Sequence, residues 1–186
     1  MDRPLQLTVA TGADVPEAVS LINLAFRIRG ENASWSTKEE YIEGTRITED
    51  LLRDDMAAKP HAKLLLWRQP AGELLGCVWM EPEKNGAWYL GLLAIPPHDQ
   101  NAGLGRKLLE AAEDWARERG ATEIKMTVVH VRATLIEWYK RRGYLLTEET
   151  MPFPYEDTRF GVPKRDDLYF VVLCKQLRSE NEDRAE

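Results

Sequence analysis

The segment from Gln100 to Gly105 indicates the function of this chain more clearly than any other. It contains two glycines, Gly103 and Gly105, whose backbone could bind a ligand. Glycines let the backbone approach a ligand without obstruction by Cβ atoms. A helix that begins at such a loop directs its unpaired N–H groups and its positive dipole end toward the ligand. The segment therefore predicts a binding site for an anion, such as a phosphorylated ligand.

Two common phosphate-binding motifs do not fit this segment. A Walker loop requires glycine five residues before the glycine that precedes Lys-Ser/Thr, but Gln100 stands five before Gly105, and Arg106-Lys107 follow it. A dinucleotide-binding loop requires a Gly-x-Gly-x-x-Gly series, and the glycines here are spaced differently. A plain strand-to-helix turn, in which the glycines serve only close packing, remains as the alternative without a ligand.

The segments around the loop predict the elements that would hold it. Residues 87–95 form a continuous apolar and aromatic run of strand length, and Pro96 and Pro97 end it because proline cannot donate to a sheet. After the loop, apolar residues recur at helical spacing from Leu104 to Trp115, and Gly120 is a typical stop signal. The predicted order is strand, glycine loop, helix.

A second motif lies downstream, where residues 133–144 follow a predicted strand over Glu123–Val129. The loop, preceded by the triplet Leu93-Ala94-Ile95 and proline, resembles the acetyl-coenzyme A loop of the GCN5-related N-acetyltransferases (GNAT), written Gln/Arg-x-x-Gly-x-Gly/Ala. The run from Tyr139 to Tyr144 is similar to the Tyr-x-x-x-Gly-Phe/Tyr that ends a short helix in that family. Two matches at the family's spacing favour this interpretation over a plain turn.

The resemblance covers nearly the whole chain and implies a mixed α/β (α+β) fold. We expect a central, mostly antiparallel seven-stranded sheet with helices on both faces. The expected order is one strand, two helices, three strands, a helix, a strand, a helix and two strands. Residues 1–178 would form a single acetyltransferase domain, and residues 179–186 a disordered polar tail. The second helical region is predicted over Lys38–Glu43 and Glu49–Ala57.

The resemblance also implies an activity, which is transfer of an acetyl group from acetyl-CoA to a primary amine by direct attack, without a covalent enzyme intermediate. In the family, the strand before the loop holds the pantetheine arm through its backbone and directs one N–H at the thioester oxygen. The positions carried over to this chain as cofactor-binding are Leu93, Ala94, Ile95, Gln100, Asn101, Ala102, Gly103, Leu104, Gly105, Arg106 and Lys107. Ordinary solvated helix cations are the alternative for the last two.

Tyr139 is the candidate general acid for the leaving thiolate, because the pKa of a phenol lies above that of a thiol. Simple packing with Trp138 is its alternative role. The family carries Asn seven positions earlier, where this chain has Arg132, which could reach a cofactor phosphate or solvent. The strand before the loop lacks the carboxylate that many relatives use as a base, so Glu81 is the candidate base, with Glu83, His98 and His130 as alternatives.

The composition of the chain argues against several kinds of binding partner. A formal charge of −6 and a pI near 5.3 argue against a nucleic-acid backbone as partner. No run is long and apolar enough to predict a membrane span, the N-terminus lacks a signal-peptide pattern, and two cysteines are too few for a disulfide framework. We therefore expect a cytoplasmic enzyme without a metal. Pairing of two copies through the C-terminal strands is a further expectation from the resemblance.

The sequence indicates the acceptor of the acetyl group less clearly than the donor. A mixture of carboxylates and aromatics favours a small cationic amine, and the residues behind this guess are Glu31, Glu39, Glu40, Glu43, Glu81, Glu83, Trp35, Trp79, Trp88 and Tyr155. The irregular segment 151–163, rich in proline and aromatic residues, is expected near the substrate. Two alternatives stay open, a protein or peptide amine as acceptor and a non-catalytic acyl-CoA-binding module.

Overall fold

The computed structural model describes residues 5–27, 41–97 and 103–177. Within these ranges the helices are α1 (Val15–Arg27), α2 (Glu49–Ala58), α3 (Leu104–Arg117) and α4 (Ala133–Lys140). The strands are β1 (Leu7–Val9), β2 (Ile42–Glu43), β3 (Lys63–Arg68), β4 (Leu74–Pro82), β5 (Ala87–Ala94), β6 (Glu123–Val129), β7 (Leu145–Pro152), β8 (Val162–Pro163) and β9 (Tyr169–Gln176). The predicted order is confirmed, with the two-residue strands β2 and β8 as additions.

Seven of these strands form one sheet in the order β1-β3-β4-β5-β6-β9-β7. Every neighbouring pair is antiparallel except β5 and β6, which run parallel. A parallel pair needs a crossover connection, and the chain from β5 to β6 supplies it through α3. The mixed, mostly antiparallel sheet expected from the sequence is thus confirmed.

The helix α3 packs on one face of this sheet because its apolar residues share one side. Leu108, Ala112 and Ala116 recur at intervals of four and are fully buried. Close approach to β4 depends on Gly76, where a Cβ atom would lie 2.9 Å from Leu108 Cδ2. The helix α4 joins the same cluster through Leu135 and Tyr139. Truncating Leu108 to Ala would cost about 2–5 kcal/mol of folding stability.

The opposite face of the sheet carries α1 and α2. Val15, Ile22 and Leu52 are fully buried there, in a cluster separate from that of α3. Thr48 caps α2, since its side chain accepts from the Leu51 N–H at 3.3 Å. Asp14 precedes α1, as expected for its cap position. The sheet therefore separates an α3/α4 side from an α1/α2 side.

One predicted element is wrong at its end. The predicted helix over Lys38–Glu43 falls partly outside the described residues, but Ile42–Glu43 is the strand β2, paired antiparallel with β8. Ile42 is 2% exposed and packs with Val129, Phe153 and Leu168. This pairing with a segment far downstream overrides the local helical pattern. It also gives the segment 151–163, predicted to be irregular, a short strand of its own.

Two further observations concern the chain ends and the edges of the sheet. Among the described residues, no helix is long and apolar enough to span a membrane. The predicted polar tail lies outside the described residues. The last strand in the sequence, β9, lies between β6 and β7, so the edge strands of the sheet are β1 and β7. Pairing of two copies stays a prediction.

Candidate active site

The start of α3 retains the geometry expected of an anion-binding helix end. Gly103 is the N-cap residue with φ of 75°, a left-handed conformation that favours glycine. Its carbonyl oxygen accepts the first helical hydrogen bond, from the Lys107 N–H at 3.2 Å. The N–H groups ahead of Lys107 therefore point out of the helix end. Gln100, Asn101 and Ala102 lie outside the described residues, so the predicted loop is described only from Gly103 onward.

The cations of the first turn lie on the surface of α3. Arg106 is exposed and lies 3.4 Å from Glu110, an i,i+4 pair typical of a solvated helix. Lys107 is exposed as well, whereas Leu104 is half-buried and Gly105 is buried. The backbone of this helix end therefore has the expected geometry. A ligand contact by the side chain of Arg106 or Lys107 stays a prediction.

A β-bulge interrupts β5 just before the helix. Cys77 pairs with Ala94 and Trp79 pairs with Gly91, so β5 carries one more residue than β4 between these pairs. Leu92 takes up the extra residue with φ of 48°, a conformation that costs a leucine about 1–3 kcal/mol. Strain of this kind persists where the surrounding structure enforces it, often at functional sites. The bulge redirects the strand at the point where the family resemblance places the thioester.

Beside the bulge, β5 and β6 diverge. Their parallel register covers only Ala87–Tyr89 against Glu123–Lys125, although both strands continue beyond it. The phenol oxygen of Tyr89 lies 3.2 Å from Thr127 Oγ1, which joins the two strands where they begin to separate. Gly91 is required beneath this ring, because a Cβ atom there would lie 2.9 Å from Tyr89 Cε1. The two strands are therefore unpaired beyond Tyr89 and Lys125.

A cavity of about 460 Å³, here named the inter-strand cavity, occupies the gap. Leu90–Leu93 of β5 and Met126–Val128 of β6 form its walls. Leu135 and Tyr139 line it from the α3/α4 side, and Phe26 lines it from the α1/α2 side. The cavity therefore lies between the two strands and is lined by residues from both sides of the sheet.

The predicted triplet contributes unequally to this cavity. Leu93 lines it, whereas Ala94 pairs with Cys77 and is buried on the α1/α2 side. Ile95 follows the strand and packs beneath α3, where a Cβ atom on Gly76 would lie 2.7 Å from its Cδ1. A role of the Leu93 and Ile95 backbone toward the thioester stays a prediction.

Tyr139 both packs and faces the cavity. Its ring makes edge-on contacts with Trp138 at 5.0 Å and Tyr144 at 5.6 Å between centroids. It also lines the inter-strand cavity. Burial raises the pKa of Tyr139 above its ordinary value, with Arg132 acting in the opposite direction. The phenol is therefore protonated at neutral pH, as a proton donor must be, and the packing role and the donor role are compatible.

Arg132, which replaces the asparagine of the family pattern, is not a solvent-facing residue. It is the N-cap residue of α4, is 6% exposed, and lines the inter-strand cavity. Burial lowers the pKa of Arg132 to about 10, with Tyr139 and Tyr41 acting in the opposite direction. At neutral pH a guanidinium with this pKa is a cation. Arg132 thus adds positive charge beside Tyr139, on the wall of the cavity.

A second cavity of about 360 Å³, here named the α2 cavity, lies on the α1/α2 side of β5. Tyr89, Gly91 and Leu92 line both cavities, so the two meet at the bulge. Glu81, the candidate base, lines the α2 cavity. Its Oε2 accepts from Lys59 Nζ at 2.8 Å and from Trp79 Nε1 at 3.2 Å. The candidate base and the candidate acid thus line adjoining cavities.

The acidic and aromatic cluster predicted for the acceptor can be followed only for its described members, and these do not all come together. Glu81 and Trp79 come together in the α2 cavity. Glu43 and Glu83 are exposed and line neither cavity, and Trp88 packs on the other face against Trp115 at 5.6 Å. The Tyr155 hydroxyl accepts from the Leu168 N–H at 2.6 Å. The other members lie outside the described residues, namely Glu31, Glu39, Glu40 and Trp35.

The segment 151–163, expected near the substrate, does reach the site. Met151–Pro154, Asp157 and Arg159 line the inter-strand cavity, and Arg159 lines the α2 cavity as well. Arg159 Nε donates to both carboxylate oxygens of Asp157 at 2.8 Å. The segment therefore borders the candidate site, and its closeness to the substrate stays a prediction.

The sequence interpretation missed Arg46, which lines both cavities. Asn23 of α1 holds its backbone, because Asn23 Oδ1 accepts from the Arg46 N–H at 2.7 Å and the Ile47 N–H at 3.1 Å. A loop arginine before a predicted helix has no pattern that distinguishes it from a surface cation. Its role emerges only from the packing of α1 against α2.

The remaining nucleophilic and titratable candidates lie away from both cavities or outside the described residues. His130 stacks on Tyr169 with ring centroids 3.9 Å apart and lines neither cavity, and His98 is not among the described residues. Burial raises the pKa of the Cys77 thiol to about 12, so it is not a thiolate at neutral pH. In the described part of the chain, no cluster of three His, Cys, Asp or Glu residues could hold a metal ion.

Comparisons with known proteins agree with this geometry. A sequence model of the acetyltransferase (GNAT) family matches residues 28–144, more than half of the chain. Streptothricin acetyltransferase of Streptomyces lavendulae is 38% identical over 52 residues, which cover 28% of each chain. A variant of the spermidine N-acetyltransferase of Vibrio cholerae has a TM-score of 0.66 at 15% identity, covering 98% of this chain and 100% of that one.

A ribosomal-protein-alanine N-acetyltransferase from Brucella melitensis also has a TM-score of 0.66, at 17% identity, covering 93% of this chain and 100% of that one. At such identities the structural likeness concerns the fold alone. The chain spans only 28% to 60% of the length of the curated relatives it matches.

Proposed function

Because the chain belongs to the acetyltransferase (GNAT) family, we propose that it moves an acetyl group from acetyl-CoA to a primary amine by direct attack, without a covalent enzyme intermediate. The observation that carries this proposal is the inter-strand cavity, which is lined by residues from both sides of the sheet beside the bulge in β5. A thioester entering from the α3/α4 side and an amine entering from the α1/α2 side would meet there.

The residues present suit acetyl-CoA as the donor. Gly103 opens α3 with outward N–H groups that favour an anion such as the pyrophosphate. Leu93, Met126 and Val128 supply apolar walls for the pantetheine arm. We propose that residues 100–107 bind the pyrophosphate and that the backbone of Leu93 and Ile95 holds the arm, while Arg132 adds charge at the cavity wall. Bound acetyl-CoA supplies the activated acyl group.

The transfer requires two proton movements. The nitrogen–carbon bond forms as the carbon–sulfur bond breaks, the amine loses a proton, and the departing thiolate gains one. Tyr139 is the proposed donor to the thiolate, because it lines the cavity and burial raises its pKa, which keeps the phenol protonated. Glu81 is the proposed acceptor of the amine proton, directly or through water, from the wall of the α2 cavity.

The size of the α2 cavity supports a small acceptor. Its volume of about 360 Å³ lies at the lower end of the range for small-molecule sites. An amine is cationic before it reacts, and Asp55 and Glu81 on the wall would attract it. We therefore propose a small amine, cationic in solution, as the acceptor.

The experiment is an assay of thiol release from acetyl-CoA over a panel of small amines and an amine-terminated peptide. We expect amine-dependent release with at least one small amine and little with the peptide. Release with the peptide alone would assign a protein or peptide amine as the substrate. Saturable binding of acetyl-CoA without amine-dependent release would overturn the proposal in favour of an acyl-CoA-binding module.

A further inference from the structure

The backbone of Arg46 is held by α1 at the proposed acceptor end of the site. Asn23 accepts from the backbone N–H groups of Arg46 and Ile47, and its own Nδ2 donates to the Ile47 carbonyl at 2.8 Å. The Arg46 guanidinium lies 5.8 Å from the centroid of the Phe26 ring. These contacts fix the segment before α2 onto α1. A fixed backbone limits the positions that the Arg46 side chain can reach.

The position of Arg46 separates it from the phosphates of the donor. Its neighbours Asn23 and Phe26 belong to α1, which packs on the face of the sheet opposite to α3. The proposed pyrophosphate site is the N-terminus of α3, beyond the end of β5. Arg46 lines both cavities, and so do the bulge residues Gly91 and Leu92. Arg46 therefore lies where the proposed acceptor would enter.

The described residues that line the two cavities carry a positive net charge, although the whole chain is acidic. The chain carries a formal charge of −6. Among the described residues that line the two cavities, four are cationic, namely Arg46, Lys59, Arg132 and Arg159, and three are carboxylates, namely Asp55, Glu81 and Asp157. Lys59 binds Glu81 and Arg159 binds Asp157, so two of the carboxylates already have cationic partners. The described lining thus carries one positive charge more than negative, which favours an acceptor that itself carries an anionic group.

We infer that the acceptor is a small amine that also carries a carboxylate, such as an amino acid, and that the Arg46 guanidinium binds this carboxylate. The inference rests on the proposed acetyl transfer, which supplies the reacting amine. A guanidinium matches a carboxylate with two parallel N–H donors, and it remains charged when it is buried. Binding the carboxylate at Arg46 would leave the amine directed along the shared wall at Gly91 and Leu92, toward the bulge.

The test compares amines that differ only in the carboxylate. The wild-type enzyme is assayed by thiol release with L-phenylalanine against phenethylamine and with L-lysine against cadaverine. A site that binds the carboxylate would favour the amino acid by about 10-fold or more in kcat/KM, since an unfilled polar site rejects the analogue. Equal or better use of the amines without a carboxylate would overturn the inference and leave the acetyl transfer standing. Absence of release with every amine would instead overturn the acetyl transfer.

The Arg46→Gln variant tests whether the Arg46 side chain causes the preference for amines that carry a carboxylate. We expect the KM for the amino acid to rise about 10-fold or more, the KM for acetyl-CoA to stay unchanged, and the preference over the matched amine to disappear. The control is Arg53→Gln, because Arg53 lies on α2 but donates to the Gly12 carbonyl and lines neither cavity. Retention of the preference in Arg46→Gln would contradict the assignment. If this variant does not fold, the wild-type comparison alone decides the substrate class.

Discussion

The two sides of the sheet contribute different kinds of chemistry to one site. On the α3/α4 side the contributions are a helix end opened by Gly103, a buried neutral phenol on Tyr139 and one buried cation, Arg132. On the α1/α2 side the contributions are charged side chains, with Arg46, Lys59 and Glu81 around the α2 cavity. A donor common to a whole family can be held by backbone groups, which any sequence provides. An acceptor that differs between relatives must be recognised by side chains, and we propose that those on the α1/α2 side do this.

Loss of the Tyr139 hydroxyl should have the largest effect on the reaction. We expect Tyr139→Phe to lower kcat about 100-fold with little change in the KM for acetyl-CoA, because a positioned proton donor contributes about 10²- to 10⁴-fold. Steady-state kinetics on both substrates measures this. Since burial raises the pKa of Tyr139, its phenol stays protonated at alkaline pH, and wild-type kcat should not fall between about pH 7 and 9.5 through loss of this donor.

Tyr144 provides the matched control on the same side of the sheet. It is buried beside Tyr139, but its hydroxyl donates to Glu113 at 2.8 Å, and Lys175 binds the other carboxylate oxygen at 2.6 Å. Tyr144→Phe should cost about 1–3 kcal/mol of folding stability and leave kcat unchanged at a temperature where the variant is folded. Equal losses of kcat in both variants would show that Tyr139 acts through packing.

A bulky residue at Gly103 tests the helix end. Gly103→Val should raise the KM for acetyl-CoA about 10-fold, because valine resists a positive φ and its side chain would stand at the proposed pyrophosphate site. Gly120→Val is the control, since Gly120 follows α3 with φ of 85° and, like Gly103, has no neighbouring atom within 4 Å of the position that a Cβ atom would occupy. A similar rise in KM in both variants would mean that the helix end does not bind the donor.

Removal of the Glu81 charge tests the α1/α2 side, with a smaller effect expected. Glu81→Gln should lower kcat about 5-fold, since water can accept the amine proton in place of the carboxylate. Lys59→Met removes the partner of Glu81 and keeps the carboxylate. If Glu81 is the base, kcat should be retained in that variant. Loss of kcat in Lys59→Met alone would assign the function to the cation.

Alkylation of the cysteines should have the smallest effect. Cys77 is fully buried beside the bulge, with its pKa raised by burial to about 12, whereas Cys174 on β9 is partly exposed. Iodoacetamide at pH 8 should label Cys174 first and leave acetyl transfer unchanged, because neither thiol lines a cavity. Mass spectrometry locates the label. Early labelling of Cys77 would show that the structure around the bulge opens readily.

Much of the donor side could be predicted from local patterns. Glycines before an amphipathic run identify the start of α3, and an apolar run ending in Pro96 identifies β5. The short strands β2 and β8 could not be predicted in this way, because each is two residues long and exists only through pairing with the other. The predicted helix over Lys38–Glu43 is wrong in its last two residues for this reason.

The family and the order of the main elements follow from the amino-acid sequence, because they depend on short motifs and on the spacing of apolar residues. Acetyl-CoA as the donor is proposed from the family. Folding in three dimensions was needed to bring Arg46 and Arg159 to both cavities and to bury Arg132 beside Tyr139. A charged residue in a loop has the same local pattern whether it faces solvent or substrate. Its environment is set by contacts between distant segments, such as those of Asn23 with Arg46 and Ile47.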